Sequence, residues 1–370
     1  MSKSPCLPDL LPLSGLNWER LARFSSRAML PLARYDGTLT SMINPAVLLS
    51  PMTSQEAVLS SRIEGTQASL TEVLQHEAGE QYDPEKQDDI HEVLNYRKAL
   101  LVGEGALEHR PLSLALMREL HQLLMDNVRG GDCTPGAFRT TQNWIGKSGQ
   151  TIDQARFVPP SPAKMLDALE NFEQYIALDD TDPLVQLAVV HGQFEIIHPF
   201  NDGNGRLGRM LIPLLLYQKQ VLQRPMFYLS EYLAEADQEY RDRLKVITDN
   251  GDWQGWIEFF LKAIEVQAVR NNDKAKQIHD LYDSMKSQVV EATHSQYASA
   301  VLDAFFNRPV LNSGDFSKLS GIENRGTANN LLRALTDQGV IRVLRQGSGR
   351  RPAIYAFADL INIAEGKKVL

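Results

Sequence analysis

The sequence predicts a mainly α protein with one short β-hairpin in its middle and a smaller mixed module at its C-terminus. Three observations predict this. Apolar residues recur at helical spacing through most of 54–272, as in LSLALMRELHQLLMDNV (112–128). Residues 140–162 replace that rhythm with NWIG and then GQTIDQARFVPPSP, β-like pieces closed by prolines. From about Gln296 the pattern becomes two short helices and two strands around a Gly-Arg turn.

Composition bounds the function. A chain of 370 residues has room for two or three domains. The net charge of −8 argues against binding nucleic acid with the whole surface. Two cysteines, Cys6 and Cys133, make no disulfide scaffold and fit a reducing compartment. The opening MSKSPCLPDLLPLSG lacks the unbroken apolar core of a signal peptide. The longest apolar run, Met210 to Tyr217, contains Pro213 and is too short to span a bilayer, so it reads as core. A soluble cytoplasmic protein is expected.

Taken in order, residues 1–50 are Pro- and Leu-rich and weakly patterned. SQEAVLSSRIEG (54–65) reads as a helix stopped by Gly65, and Asp88 to Leu101 as another. After 112–128, GGDCTPGAFR breaks the pattern with Gly and Pro. Beyond the hairpin, helices resume at about Ala163 and again after Pro183, a residue suited to a first helical turn. That helix puts Leu184, Leu187, Ala188, His191 and Phe194 on one face. Further helix runs to about Asn272. The expected division is an N-terminal helical region (1–110), a catalytic core (111–290) and a C-terminal module (296–370).

The chemistry concentrates in HPFNDGNGRLGR, residues 198–209. His198 ends an apolar helix beside Pro199, and Phe200 plugs the loop into the core. Asp202 is a hard oxygen ligand suited to Mg²⁺. Gly203, Asn204 and Gly205 let successive backbone N–H groups converge on an anion, at the start of a helix whose dipole favours negative charge. Arg206 and Arg209, three apart, share a helix face. Phosphates, a divalent cation and a neutral imidazole are what nucleotide transfer requires. Neither a G-x-x-x-x-G-K-S/T loop nor a G-x-G-x-x-G after a strand is present. His198 and Asp202 lack the third closely spaced ligand that a metal hydrolase would need.

The segment resembles the signature of Fic-domain proteins, H-x-F-x-D/E-G-N-G-R-x-x-R, at every fixed position. MRELHQLLM, PGAFRTTQNWIG, ARFVPPSP and GDWQGWIEFFL follow in the family's order. The resemblance covers roughly Leu112 to Ala263 and implies a helical Fic-type core that transfers AMP from ATP to a protein hydroxyl. By that resemblance His198 is the general base toward a Ser, Thr or Tyr hydroxyl. Asp202 holds Mg²⁺, Gly203, Asn204 and Gly205 cradle phosphates, and Arg206 and Arg209 stabilise the β- and γ-phosphates. The hairpin segment Gln154, Ala155, Arg156, Phe157 and Val158 resembles the flap that aligns a target by strand addition. Tyr240 and Asn250 are the candidates for adenine.

SSRIEG resembles the family's inhibitory motif S/T-x-x-x-E-G/N, with Ser60, Glu64 and Gly65 at its fixed positions. Ser60 and Glu64 lie one turn apart on one helix face. The resemblance implies that Glu64 pairs with Arg209, displaces the γ-phosphate and holds the enzyme down without a separate antitoxin. Two other uses of the same site stay open: removal of AMP, or transfer of another phosphate-containing group. A nucleotide-sensing regulator of another class is a third. Self-modification and a homodimer are further expectations.

In the tail, SGDFSKLSGI and ENRGTANNLLRALTDQG read as two helices, and IRVLRQGSGRRPAIYAF as two strands, which together resemble a winged helix-turn-helix. From Arg308 to Arg351 there are eight basic residues against three acidic ones, so Arg345, Arg350 and Arg351 are candidates to meet DNA phosphates, with protein as the other candidate partner.

Overall fold

The computed structural model describes residues 4–128, 134–146, 151–180 and 182–370. It opens with a helix where the sequence showed little pattern: α1 (Trp18–Ser41). Leu21, Ser25, Ala28, Leu32, Tyr35 and Leu39 are all buried, at alternating spacings of four and three. The stripe is present in the sequence, but Pro31 inside the helix obscures it. A single turn, α2 (Pro45–Leu48), is capped by Asn44. α3 (Ser50–Ile63) and α4 (Leu70–Glu77) follow, the latter opened by a capping box between Ser69 and Glu72. α5 (Pro84–Leu107) and α6 (Leu114–Leu124) come next, Ser113 capping α6.

The expected hairpin is reduced, among the described residues, to a bridge between Ile145 and Phe157 and a 3₁₀ turn at Ile152–Gln154. Ile145 N–H donates to Phe157 O at 2.8 Å, and Arg156 N–H donates to Ile145 O at 2.7 Å. Residues 147–150 of that expectation lie outside the described residues. The chain continues through α7 (Pro162–Ala177), α8 (Pro183–Ile197) and α9 (Asn204–Gln218). Asp182 caps α8 by accepting the N–H groups of Leu184 and Val185. α10 (Ser230–Glu235), α11 (Asp237–Asn250) and the long α12 (Trp253–Thr293) complete the central run.

The contacts define two compact units that interleave along the sequence, whereas the expected domains are consecutive. The first comprises Met1–Asp36, Leu59–Gly65 and Leu94–Val269. Its centre is α8, apolar on every side and almost wholly buried, packed on α9, α7 and α11, while α6 packs on α9. The second comprises Gly37–Val58, Thr66–Val93 and Arg270–Leu370. It contains α13 (Ala298–Asn307), β1 (Val310–Asn312), α14 (Ser313–Ser320), α15 (Arg325–Asp337), β2 (Arg342–Arg345), β3 (Ile354–Ala356) and α16 (Ala358–Glu365). The strands form an antiparallel sheet in the order β1-β3-β2. β1 pairs Val310 with Ala356, and β2 pairs Arg342 with the same residue. Phe305, Phe306, Phe316, Leu332, Ile354 and Phe357 fill the core of this part. The sequence expectation lacked β1, a three-residue strand too short to show a period.

Candidate active site

The site begins where α8 must stop. His198 is its C-cap, in the left-handed region at φ 48° and ψ 62°, and its N–H donates to Phe194 O at 3.0 Å. Pro199 forbids a further helical turn. Phe200 is fully buried, as expected of a plug, and stacks on His121 at 3.7 Å between ring centroids. Asn204 accepts Phe200 N–H on Oδ1 and donates Nδ2–H to Phe200 O, both at 2.9 Å. The Asn204 side chain thus closes the loop onto itself, a role its position in the motif did not reveal.

Gly203 ends the loop at φ 76°, and an alanine Cβ there would lie 2.7 Å from Met125 Sδ. Asp202 Oδ1 accepts Gly203 N–H at 2.6 Å. Its backbone carbonyl accepts Nε2–H of His121 at 2.9 Å, and His121 Nδ1 accepts Gly136 N–H at 2.9 Å. These two bonds fix His121 as a neutral tautomer, and burial pushes its pKa down to about 4. His121 supports the loop from α6 and was not singled out in the sequence, where it reads as one more buried helix position.

Arg206 and Arg209 project from α9 and both are buried. An Arg206 amino group approaches Met125 Sδ at 3.5 Å and Asp202 Oδ2 at 3.9 Å. Arg209 donates from Nε to Ser60 Oγ at 2.9 Å, and from a terminal nitrogen to Ser60 O at 2.8 Å and Glu64 Oε1 at 2.7 Å. Ser60, Glu64 and Arg209 all lie in the first unit. Burial would raise the Glu64 pKa, but the Arg209 charge and hydrogen bond override it and hold the carboxyl below its usual range. Burial likewise opposes the Arg209 charge, and Glu64 reverses the balance, raising its pKa. Glu64 leans over the start of α9: an alanine Cβ at Gly205 would overlap its Oε1. The carboxylate therefore stands directly above the helix N-terminus where an anion would bind.

A cleft of about 320 Å³ opens here. Its lining includes Glu64, His198, Gly205, Arg209 and Tyr240, together with Arg156 and Phe157. Asp202, with 53% of its side chain accessible, lies beside the cradle and is not part of that lining. Gly203, Asn204 and Arg206 support the loop from behind. Gln154 is exposed; Ala155 and Val158 are buried, and Val158 O accepts Cys6 N–H at 3.0 Å. Gly65, just after α3, is exposed. Asn250 is exposed at the end of α11 and is not brought to the cleft. Tyr240 is part of the lining, and its hydroxyl donates to His191 Nε2 at 2.9 Å.

His198 Nδ1 is buried with no hydrogen-bond partner among the described residues. Burial lowers its pKa to about 4, with Glu64 working the other way, so the imidazole is neutral at pH 7. Glu195 is a further cleft residue that the motif did not point to. Its Oε1 is buried without a partner, and burial pushes its carboxyl up to about 7 despite Arg209. Its place at i−3 from His198 on a buried helix was the only signal. Trp144, Arg241, Leu244 and Lys245 also line the cleft. Arg241 donates to Ile63 O at 2.9 Å, closing the end of α3.

The fold is mainly helical with a small three-stranded antiparallel sheet, and its candidate site is a glycine-containing loop leading into a helix N-terminus beside a neutral histidine. Two family profiles match the chain: Fic/DOC family N-terminal matches residues 23–104, and Fic/DOC family matches 111–216. The chain belongs to the Fic/DOC family. It is 30% identical over 166 residues to Protein adenylyltransferase fic-1 of Caenorhabditis elegans, a match covering 44% of this chain and 29% of that protein. It is 28% identical over 177 residues to a probable protein adenylyltransferase of Aquifex aeolicus, covering 47% and 51%. The chain thus spans less than a third of the former relative's length and about half of the latter's. Among solved structures, a Fic family protein from Desulfovibrio desulfuricans G20 aligns over 96% of this chain and 98% of that one, with TM-score 0.58 and 19% identity. Fic-1 from C. elegans aligns over 70% and 75%, with TM-score 0.51 and 20% identity. Among the described residues, no helix is long and apolar enough to cross a membrane.

Proposed function

We propose that this chain is a Mg²⁺-dependent protein adenylyltransferase that uses ATP and is held down by its own Glu64. The observation that carries this reading is the Glu64 carboxylate on Arg209, above Gly205, in the same cleft as His198. In the active arrangement a γ-phosphate replaces Glu64 on Arg209. The N–H groups opening α9 hold the neighbouring phosphates. A target hydroxyl oxygen attacks the α-phosphorus, its proton passes to the neutral His198 imidazole, and the bond to the β-phosphate oxygen breaks to release pyrophosphate. The Arg156–Phe157 segment would lie along the target.

Among the described residues no three His, Cys, Asp or Glu groups cluster as a metal cage. A Mg²⁺ ion suits this donor set nonetheless, since one carboxylate with substrate phosphates and water is a usual arrangement for it. Asp202 would hold it, and bound there it supplies positive charge to the phosphates.

The test is Glu64→Gly. It removes the carboxylate and leaves His198, Asp202 and both arginines in place. Labelling of protein from α-labelled ATP should rise strongly, self-modification included, since misalignment by about 1 Å costs about 10²-fold. The double variant with His198→Ala should be silent. Parental labelling by Glu64→Gly with normal ATP affinity would end the self-inhibited reading.

A second reading concerns the C-terminal module, whose order of helices and strands suits a winged helix that docks on duplex DNA. Arg325, Asn329, Asn330 and Arg333 are exposed on α15, and Arg342, Arg350 and Arg351 on the strand and turn. Guanidinium and amide groups are the ones that read base edges and phosphates. A gel-shift series over salt tests it: binding that vanishes equally for all sequences as salt rises would leave only a nonspecific attraction.

A further inference from the structure

Arg139 is one of the largest fully buried side chains, 2% exposed, and no carboxylate pairs with it among the described residues. A guanidinium in that position must be satisfied by other oxygens. Arg139 finds them on the backbone. Nε donates to His198 O at 2.9 Å, one terminal nitrogen to Ile197 O at 3.4 Å and Pro160 O at 2.6 Å, and the other to Thr141 O at 3.2 Å. Its own backbone N–H donates to Pro199 O at 2.9 Å. One residue therefore holds the successive carbonyls of Ile197, His198 and Pro199.

Those carbonyls form the turn in which α8 ends. The last carbonyls of a helix lack partners within it and carry its negative dipole, so a cation is favoured there. The turn also forces His198, a residue with a Cβ, into a left-handed conformation at φ 48°. Such a conformation persists only where the surroundings over-determine it. The planar fork of arginine, with donors in fixed directions, matches several carbonyls at once; a lysine ammonium does not.

We propose that Arg139 is the positioning residue of the general base: it holds the 197–199 turn in the one conformation that aims the His198 imidazole into the cleft. The assignment rests on the reading of His198 as the base of transfer. Among the described residues, Arg139's hydrogen bonds go to Thr141, Pro160, Ile197, His198 and Pro199 and not to Arg209 or Gly203–Gly205, so its effect should fall on the chemical step rather than on nucleotide affinity.

The experiment uses the full chain with Glu64→Gly as the parent and adds Arg139→Lys. Turnover should fall by about 10²-fold, the scale of a misplaced catalytic group, with an unchanged KM for ATP and unchanged ATP affinity by calorimetry. Retained turnover would overturn the proposal, as would an affinity loss that matches the rate loss, which marks general collapse. A second readout is independent of transfer. The His198 amide, bonded to Phe194 O in the parent, should exchange faster with solvent in Arg139→Lys, while the Asn204 side-chain amide stays protected. Equal exchange in parent and variant would refute the positioning role even if the parent transferred nothing; absent transfer in the parent counts against the functional reading alone. Should Arg139→Lys fail to fold, the unaltered protein still decides: a slowly exchanging Arg139 Nε–H signal supports the assignment, and rapid exchange overturns it.

Discussion

Arg209 carries its charge into a buried position and spends its donors on Ser60 and Glu64, so a substitution there removes two functions together. Arg209→Ala frees Glu64 but also deletes the clamp proposed for a γ-phosphate. It should label target no better than the unaltered protein and bind ATP more weakly by calorimetry; robust labelling would show that the clamp lies elsewhere. Glu195 tests the same neighbourhood through stability. Its folded-state pKa of about 7 lies above the ordinary carboxylate value of 4.5. The carboxyl therefore favours folding only while protonated, fully below 4.5, and this is lost as pH rises through about 7. Glu195→Gln should leave stability unchanged near pH 4.5 and raise it by on the order of 1–3 kcal/mol at pH 8. Urea melts at the two pH values measure the difference, and equal effects at both would place the raised pKa on another group.

At the scale of elements, two asparagines at helix starts have different consequences: Asn204 is the first residue inside α9, whereas Asn324 is the N-cap of α15. Asn204 opens α9 and closes the loop on Phe200, whose carbonyl keeps Asn143 as a second donor at 3.2 Å while its N–H has Asn204 as its bonded partner. Asn204→Ala leaves that buried N–H unpaired and should cost on the order of 1–3 kcal/mol. It should also weaken nucleotide binding, because the loop that presents the backbone donors loosens. Asn324 opens α15 by accepting Thr327 N–H at 3.0 Å. Asn324→Ala should cost about 1 kcal/mol, read by a denaturant melt, and leave nucleotide affinity untouched. A matching loss of ATP affinity in both variants would contradict this separation. Legibility also varied by element. α8 and α6 announced themselves through apolar spacing and start residues, whereas α1 hid its stripe behind Pro31, and β1 was too short for any period to show.

For the whole molecule, the histidines of the first unit set the pH window. Burial holds His121 and His198 at about 4 and His191 at about 3, all below the ordinary value of 6.5. Groups with depressed folded-state values stabilise above 6.5, and that contribution is lost as pH falls through 4. Glu195 and Glu104, whose carboxyls burial raises, work in the opposite sense but are two groups against three. Arg209 lowers the Glu64 pKa, so acid loosens this pair later than it would an unpaired carboxylate. Tm should fall by roughly 10 °C or more between pH 7 and pH 4. A flat Tm profile there would mean that these imidazoles are not buried neutral.

Residue order alone dictates what is local: helices with an apolar period, the loop after α8, and a string of residue types from His198 to Arg209 whose backbone freedom and charge suit a phosphate. Glycine at a left-handed turn and arginines one turn apart are properties of neighbouring residues, so they can be read from spacing. Tertiary structure decided which of those residues face the cleft. It turned Arg206 and the Asn204 side chain toward the supporting loop, kept Arg209 on Glu64, brought Glu195, Arg241 and Lys245 to the walls, and left Asn250 outside. It also set Arg139 under His198, 59 residues away in the chain. Burial and the partner across the gap fix such choices, and neither is a property of a residue's neighbours in sequence.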